Sequence, residues 1–193
     1  MAILPGMGLR RSVGTLPELA DELRAGLSGG PVVLVGHSQS CQVVVAVAER
    51  DPRVAGLLLL GPTTDPRLRR LPVLAARWVR TALREPWWQL PLVLRQWLHT
   101  GPVAMAALWR RASRDRVDER LCRVDVPVVV VRGKRDALCP HDWAAHLVQC
   151  APRGRLVELP GAAHMTPQTH PAAVAELVGE LVRCPGGAVD QSG

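Results

Sequence analysis

Residues 31–40 read PVVLVGHSQS. Val32 to Val35 is a short β-branched run bounded by Pro31 and Gly36, the pattern of a strand buried on both faces. A mostly apolar segment from about Gln39 to Arg50, closed by Asp51-Pro52, follows at once and reads as a helix. The five residues Gly36-His37-Ser38-Gln39-Ser40 therefore form a sharp strand-to-helix turn. Such a turn lifts its central side chain above the sheet edge and needs small residues two before and two after it. Gly36 and Ser40 are both small, which makes Ser38 a candidate nucleophile. Serine stands where such turns usually carry glycine, and it adds only a hydroxymethyl group.

Outward from this stretch the same alternation continues. Residues 54–60 (VAGLLLL), 126–132 (VPVVVVR) and 155–159 (RLVEL) are further predicted strands, bounded by Gly and Pro. Helices are predicted between them. Leu16, Leu19, Ala20, Leu23 and Leu27 recur at helical spacing after Thr15, and Thr15-x-x-Glu18 is a capping box. Residues 142–150 and 171–183 are the other two. Strands and helices in alternation predict an α/β fold: a mostly parallel sheet with helices on both faces. Residues 186–193, rich in Gly and polar groups, are expected to be disordered.

The carboxyl ends of parallel strands are where sites form in such sheets. Asp136 follows the third strand in RGKRD, with no evident helix start for it to cap before His141-Asp142. His164 follows the fourth strand in PGAAH, on a loop of small residues ahead of the last helix. Taken alone, each has a plain reading as a loop or surface residue. Together, Ser38, Asp136 and His164 fall in the order nucleophile, acid, base, each after its own strand, and that order is diagnostic for a Ser-His-Asp arrangement on this architecture. His37 reads as structural and is assigned no role in the chemistry. His99, His141, His146 and His170 have no ligand spacing and read as surface residues.

Composition narrows the classes. The chain has 193 residues, 48% apolar and 21% charged, enough for one domain with a sizeable core. Neither a signal peptide nor a run of about 20 apolar residues is evident, so a soluble cytoplasmic protein is expected, with no membrane partner. Five cysteines, an odd number without CxxC or Cys/His spacing, argue against a disulfide framework and against a metal site. The net charge of +7 is concentrated: residues 65–120 hold 12 Arg against five acidic residues. The same segment carries five of the six Trp and a helical apolar pattern. Basic charge without Phe, Tyr or interleaved Lys is no nucleic-acid signature.

From residue 4 to about residue 182 the chain resembles the α/β-hydrolase family, in its branch of small esterases, haloperoxidase-like enzymes and carbon-carbon bond hydrolases. The likeness rests on Gly36-His37-Ser38-x-Ser40, Asp136 in a G-x-x-D turn, His164 in its small-residue loop, and Leu4-Pro5-Gly6-Met7-Gly8 ahead of the first helix. Ile3 departs from the aspartate usual before that last segment. The resemblance implies residues 1–64 and 121–185 as core and 65–120 as a helical cap of three or four short helices, punctuated by Pro72, Pro86, Pro91 and Pro102. Trp residues would supply cap core and an apolar pocket wall, and cap arginines could meet a carboxylate on the substrate.

The implied activity is that of a serine hydrolase acting on an ester or related acyl or carbonyl compound, with no cofactor. Ser38 attacks, His164 takes its proton, Asp136 holds the imidazole, and the backbone N–H of Gln39 stabilises the oxyanion. The family's first strands and the HG loop that gives a second oxyanion donor have no counterpart in this sequence. Two expectations follow: a start lying further upstream, or an impaired, truncated relative that at most binds ligand. Without the neighbouring strand, Val32 to Val35 is expected at an apolar sheet edge.

Overall fold

A computed structural model of the protein describes residues 14–63, 65–101, 106–107, 109–110 and 112–183. Residues 4–8, the tail 186–193 and the Trp97 side chain, on which sequence expectations fell, lie outside the described residues.

Four parallel strands form one sheet in the order β1 (Val32–His37), β2 (Val54–Leu60), β3 (Val128–Gly133) and β4 (Gly154–Leu159). Strand alternation divides their side chains between two cores. Leu57, Leu59, Val128 and Val130 pack on one face with α2 (Ser40–Ala48) and α6 (His141–Cys150). Leu58, Leu60, Val129 and Val131 pack on the other, against Leu177 and Leu181 of α7 (Pro171–Arg183). Helix α1 (Leu16–Ala25) has the expected Thr15/Glu18 capping box and adds Ala20 to the first core. The valines of α2 are poor helix formers, yet all are buried, so packing outweighs their propensity. Among the described residues β1 is an edge strand, and Val35 on it is 43% exposed, as expected for an apolar edge.

Between β2 and β3 the chain leaves the sheet as short helical pieces. These are 3-10 turns at Pro66–Arg69 and Trp87–Gln89, α3 (Leu71–Ala82), α4 (Leu90–Thr100) and α5 (Val117–Leu121). Proline occupies the first turn of the Pro66–Arg69 helix and of α3, where its missing N–H costs nothing. Two features differ from the sequence expectation. Among the described residues the tryptophans form no buried cap core: Trp87 is 85% exposed, Trp88 is exposed, and Trp78 and Trp109 are half-buried. Helix α3 instead turns Leu71, Val79 and Leu83 outward while Thr81 is buried. Secondly, Val117 and Leu121 of α5 are fully buried in the first core, so this end of the 65–120 segment packs with the sheet domain.

Asp65, almost fully buried, anchors the start of the excursion through Arg67 (2.9 Å) and Arg77 (2.7 Å). Arg67 also pairs with Asp142 at the start of α6. At the far end, Gln42 of α2 donates to Ala112 O at 2.7 Å. Cys41 and Cys139 are buried, Cys122 is exposed and Cys150 half-buried; all four are free thiols. No helix among the described residues is long and apolar enough to cross a membrane.

Candidate active site

Ser38 follows β1 with φ 57°, and among the described residues it is the single non-glycine with positive φ. Its N–H donates to Leu60 O at 2.8 Å, which ties the strained turn to β2. The strain persists because the surrounding structure leaves no alternative. A Cβ on Gly36 would lie 2.7 Å from Cys41 Cα and 2.8 Å from Val44 Cγ2, so the strand can meet α2 only through glycine. Ser40 does more than stay small. Its Oγ accepts from His37 N (2.7 Å) and donates to His37 O (2.8 Å), closing the turn on itself. Gln39 is the N-cap residue of α2, at the positive end of that helix.

Asp136 and His164 meet directly, Oδ2 to Nδ1 at 2.8 Å, and both are buried. The approach of their loops is set by Gly133, where a Cβ would collide with the carbonyl oxygens of Ala162 and Ala163. Asp136 does cap a turn, contrary to the sequence reading. Its Oδ1 accepts from Leu138 N (2.8 Å) and Cys139 N (3.2 Å), leaving Oδ2 for the histidine. The sequence gives no helix at 137–139 to announce this cap, because the turn is irregular. Arg132, buried at the end of β3, holds the same loop from behind. It donates to Cys139 O (2.7 Å) and Asp136 O (3.2 Å) and pairs with Glu158 on β4.

His37, next to Ser38 in the chain, reaches the backbone of His164. Its Nε2 donates to His164 O at 3.0 Å, with the two rings 5.0 Å apart. Since a carbonyl only accepts, Nε2 carries the proton. Burial, reinforced by the nearby His164, lowers the His37 pKa to about 4, so it is neutral at neutral pH. Burial pulls His164 the same way, but the Asp136 carboxylate, with a smaller contribution from Glu85, outweighs it and raises its pKa above the usual value. Asp136 is moved up by desolvation, yet His164 and the two backbone N–H groups bring it below the ordinary carboxylate range. The pair thus favours the protonated imidazole of His164 and the ionised carboxylate of Asp136 together. The Cys41 and Cys139 thiols are raised by burial, which makes them poor nucleophiles.

Three neighbours escaped the sequence reading. Gly61, at φ 53°, follows β2 on the same sheet edge, and a Cβ there would lie 3.0 Å from His164 Nδ1 and 3.2 Å from Asp136 Oδ2. Its position at a strand end before Pro62 was the available signal. Thr63 Oγ1 stands 3.4 Å from Ser38 Oγ. Glu85 Oε1 accepts from His164 N (2.6 Å) and Met165 N (2.9 Å), a contact from a segment 79 residues away that nothing in the sequence announces. His99, His141 and His146 are exposed as expected, whereas His170 is half-buried, with Nδ1 2.9 Å from Thr169 Oγ1. Among the described residues no cluster suited to a metal ion is present.

No curated protein matches the sequence. Solved structures do match the fold. A thermophilic esterase from Thermogutta terrifontis shares 22% identity, covering 95% of this chain and 79% of its own, with TM-score 0.73. MenH from S. aureus shares 16% over 95% of this chain and 82% of its own, TM-score 0.74. An E-2-(acetamidomethylene)succinate hydrolase shares 18% over 90% and 76%, TM-score 0.68. The model of the alpha/beta hydrolase family matches residues 4–177. With that match spanning most of the chain, and with a parallel sheet of the same architecture beneath it, the protein belongs to the alpha/beta hydrolase family.

Proposed function

We propose that the protein is a serine hydrolase that cleaves an ester or related acyl or carbonyl small molecule. Ser38 acts as nucleophile, His164 as general base and then acid, and Asp136 as the carboxylate that fixes the imidazole. The observation that carries this reading is Ser38 held at φ 57° on the same sheet edge as the buried 2.8 Å pair of Asp136 and His164. With Nδ1–H committed to Asp136, the imidazole presents Nε2 as its basic nitrogen. The Ser38 hydroxyl adds to the acyl carbonyl as its proton passes to His164. The imidazolium then gives that proton to the leaving alcohol, and water repeats the sequence on the acyl-enzyme. The backbone N–H of Gln39, at the N-terminus of α2, is in this reading the donor to the developing oxyanion, where one such donor is worth about 2.7–4 kcal/mol. Residues 65–120 serve as the cap over this edge, and the structural likeness to an esterase favours an ester as first substrate. A cytoplasmic setting, in which the cysteines stay reduced, fits the same reading.

The test is labelling of the full chain with a fluorophosphonate, compared across wild type, Ser38→Ala and His164→Ala. Labelling of the wild type that vanishes in both variants supports the assignment. Folded wild-type protein that does not label sinks it in favour of a ligand-binding relative.

A further inference from the structure

The segment between β2 and β3 grips both loops of the Asp136–His164 pair through three side chains at helical spacing. Thr81 Oγ1 accepts from Ala137 N at 3.1 Å, one residue beyond the acid. Arg84 Nη1 donates to Arg135 O at 3.2 Å, one residue before it. Glu85 Oε1 accepts from the backbone N–H groups of His164 and Met165. Thr81 is in the last turn of α3, and Arg84 and Glu85 lie in the turn that follows it, so the helix end and this turn together grip the two loops.

His164 is thereby held from both sides of its backbone. Its N–H is taken by Glu85 and its C=O by His37, at 2.6 and 3.0 Å. These two bonds fix where Cα stands, and Nδ1 then reaches Asp136 Oδ2 at 2.8 Å. We propose that Glu85 is a positioning residue for His164, holding the base in register with Asp136 from the segment that covers the site. This rests on the Ser38–His164–Asp136 reading above for its catalytic consequence, though not for its geometry. Three ionisable side chains surround the imidazole: Asp136 from the loop after β3, His37 from the end of β1, and Glu85. A residue that only braced the loop would leave the titration of the imidazole unchanged, whereas a carboxylate at this place also favours its protonated form.

The experiment follows His164 in the full chain by NMR of ¹⁵N-labelled histidine, alongside pH profiles for p-nitrophenyl acetate. Wild type is compared with Glu85→Gln, Glu85→Ala and Thr81→Val. Glu85→Gln keeps an acceptor but not the charge, and its His164 pKa is expected to fall below the wild-type value. The acid limb of kcat/KM moves to lower pH with it. Glu85→Ala lowers kcat on the order of 10- to 100-fold with KM little changed, as expected for a displaced base. Thr81→Val, which releases a neighbouring bond without removing charge, leaves the His164 titration in place. An unchanged His164 titration in folded Glu85→Gln overturns the proposal, as does an equal shift in Thr81→Val. Glu85→Gln carries the test should Glu85→Ala not fold. The titration needs no turnover: the expected shift in Glu85→Gln, together with folded wild type that neither labels with fluorophosphonate nor hydrolyses the ester, sinks the hydrolase reading and leaves the placement of His164 by Glu85 standing.

Discussion

Ser40 and His37 exchange two hydrogen bonds across the turn that carries Ser38: His37 N donates to Ser40 Oγ at 2.7 Å, and Ser40 Oγ donates to His37 O at 2.8 Å. Serine here replaces the glycine usual in such turns. It turns a steric allowance into a staple on the strained residue.

Ser40→Gly is therefore a substitution toward the common motif that weakens this protein. Loss of the two bonds costs roughly 1–2 kcal/mol, a fall in Tm of about 2–8 °C for a domain of this size. Thermal melts check this, and fluorophosphonate labelling, if the proposed function holds, checks whether Ser38 keeps its pose. An unchanged Tm would mean the staple contributes nothing.

Gly133→Ala tests the contact between the acid and base loops. Its Cβ meets the carbonyl oxygens of Ala162 and Ala163, which are backbone and cannot swing aside. Destabilisation of about 4 kcal/mol or more, at the severe end for single substitutions, is expected in urea titrations. Gly29→Ala is the matched control: nothing lies within 4 Å of its added Cβ, so a change within about 0.5 kcal/mol is expected.

The pH dependence of stability separates the two histidines by sign. The folded pKa of His37 is lowered to about 4, so the unfolded chain binds the proton first. Stability then falls as pH drops from 6.5 toward 4, by about 3 kcal/mol at most. His164 is raised, so its contribution is fully present below 6.5 and is lost only as pH rises through its folded value. Asp136 is lowered, and what it contributes is present above the ordinary carboxylate range and lost as pH falls through its folded pKa, beneath the window of His37. His37→Asn is accordingly expected to flatten the stability profile between pH 6.5 and 4. A slope equal to wild type there would assign the loss to another group.

Local chemistry made much of this protein legible in its sequence. Apolar runs bounded by Gly and Pro marked the four strands within a residue or two; the central strands β2 and β3 are nearly all apolar because both of their faces are buried, whereas the half-buried edge strand β4 carries Arg155 and Glu158. Small residues around Ser38 marked the turn, since no other side chain fits between strand and helix. Asp136 and His164 were recognisable from their place after β3 and β4 and from their order in the chain.

What tertiary structure alone decided lies in contacts between distant segments. The outward face of α3 and the exposure of Trp87 could not be read from an apolar pattern, because periodicity gives a stripe but not the side to which it turns. Gly61 beside the imidazole, Arg132 behind the acid loop and Glu85 on the His164 backbone each depend on where chain segments meet in space. A lone Gly, Arg or Glu carries no local periodicity or motif. Its role exists only once the sheet has brought the carboxyl ends of its strands to one edge and the excursion after β2 has reached the loops that follow them.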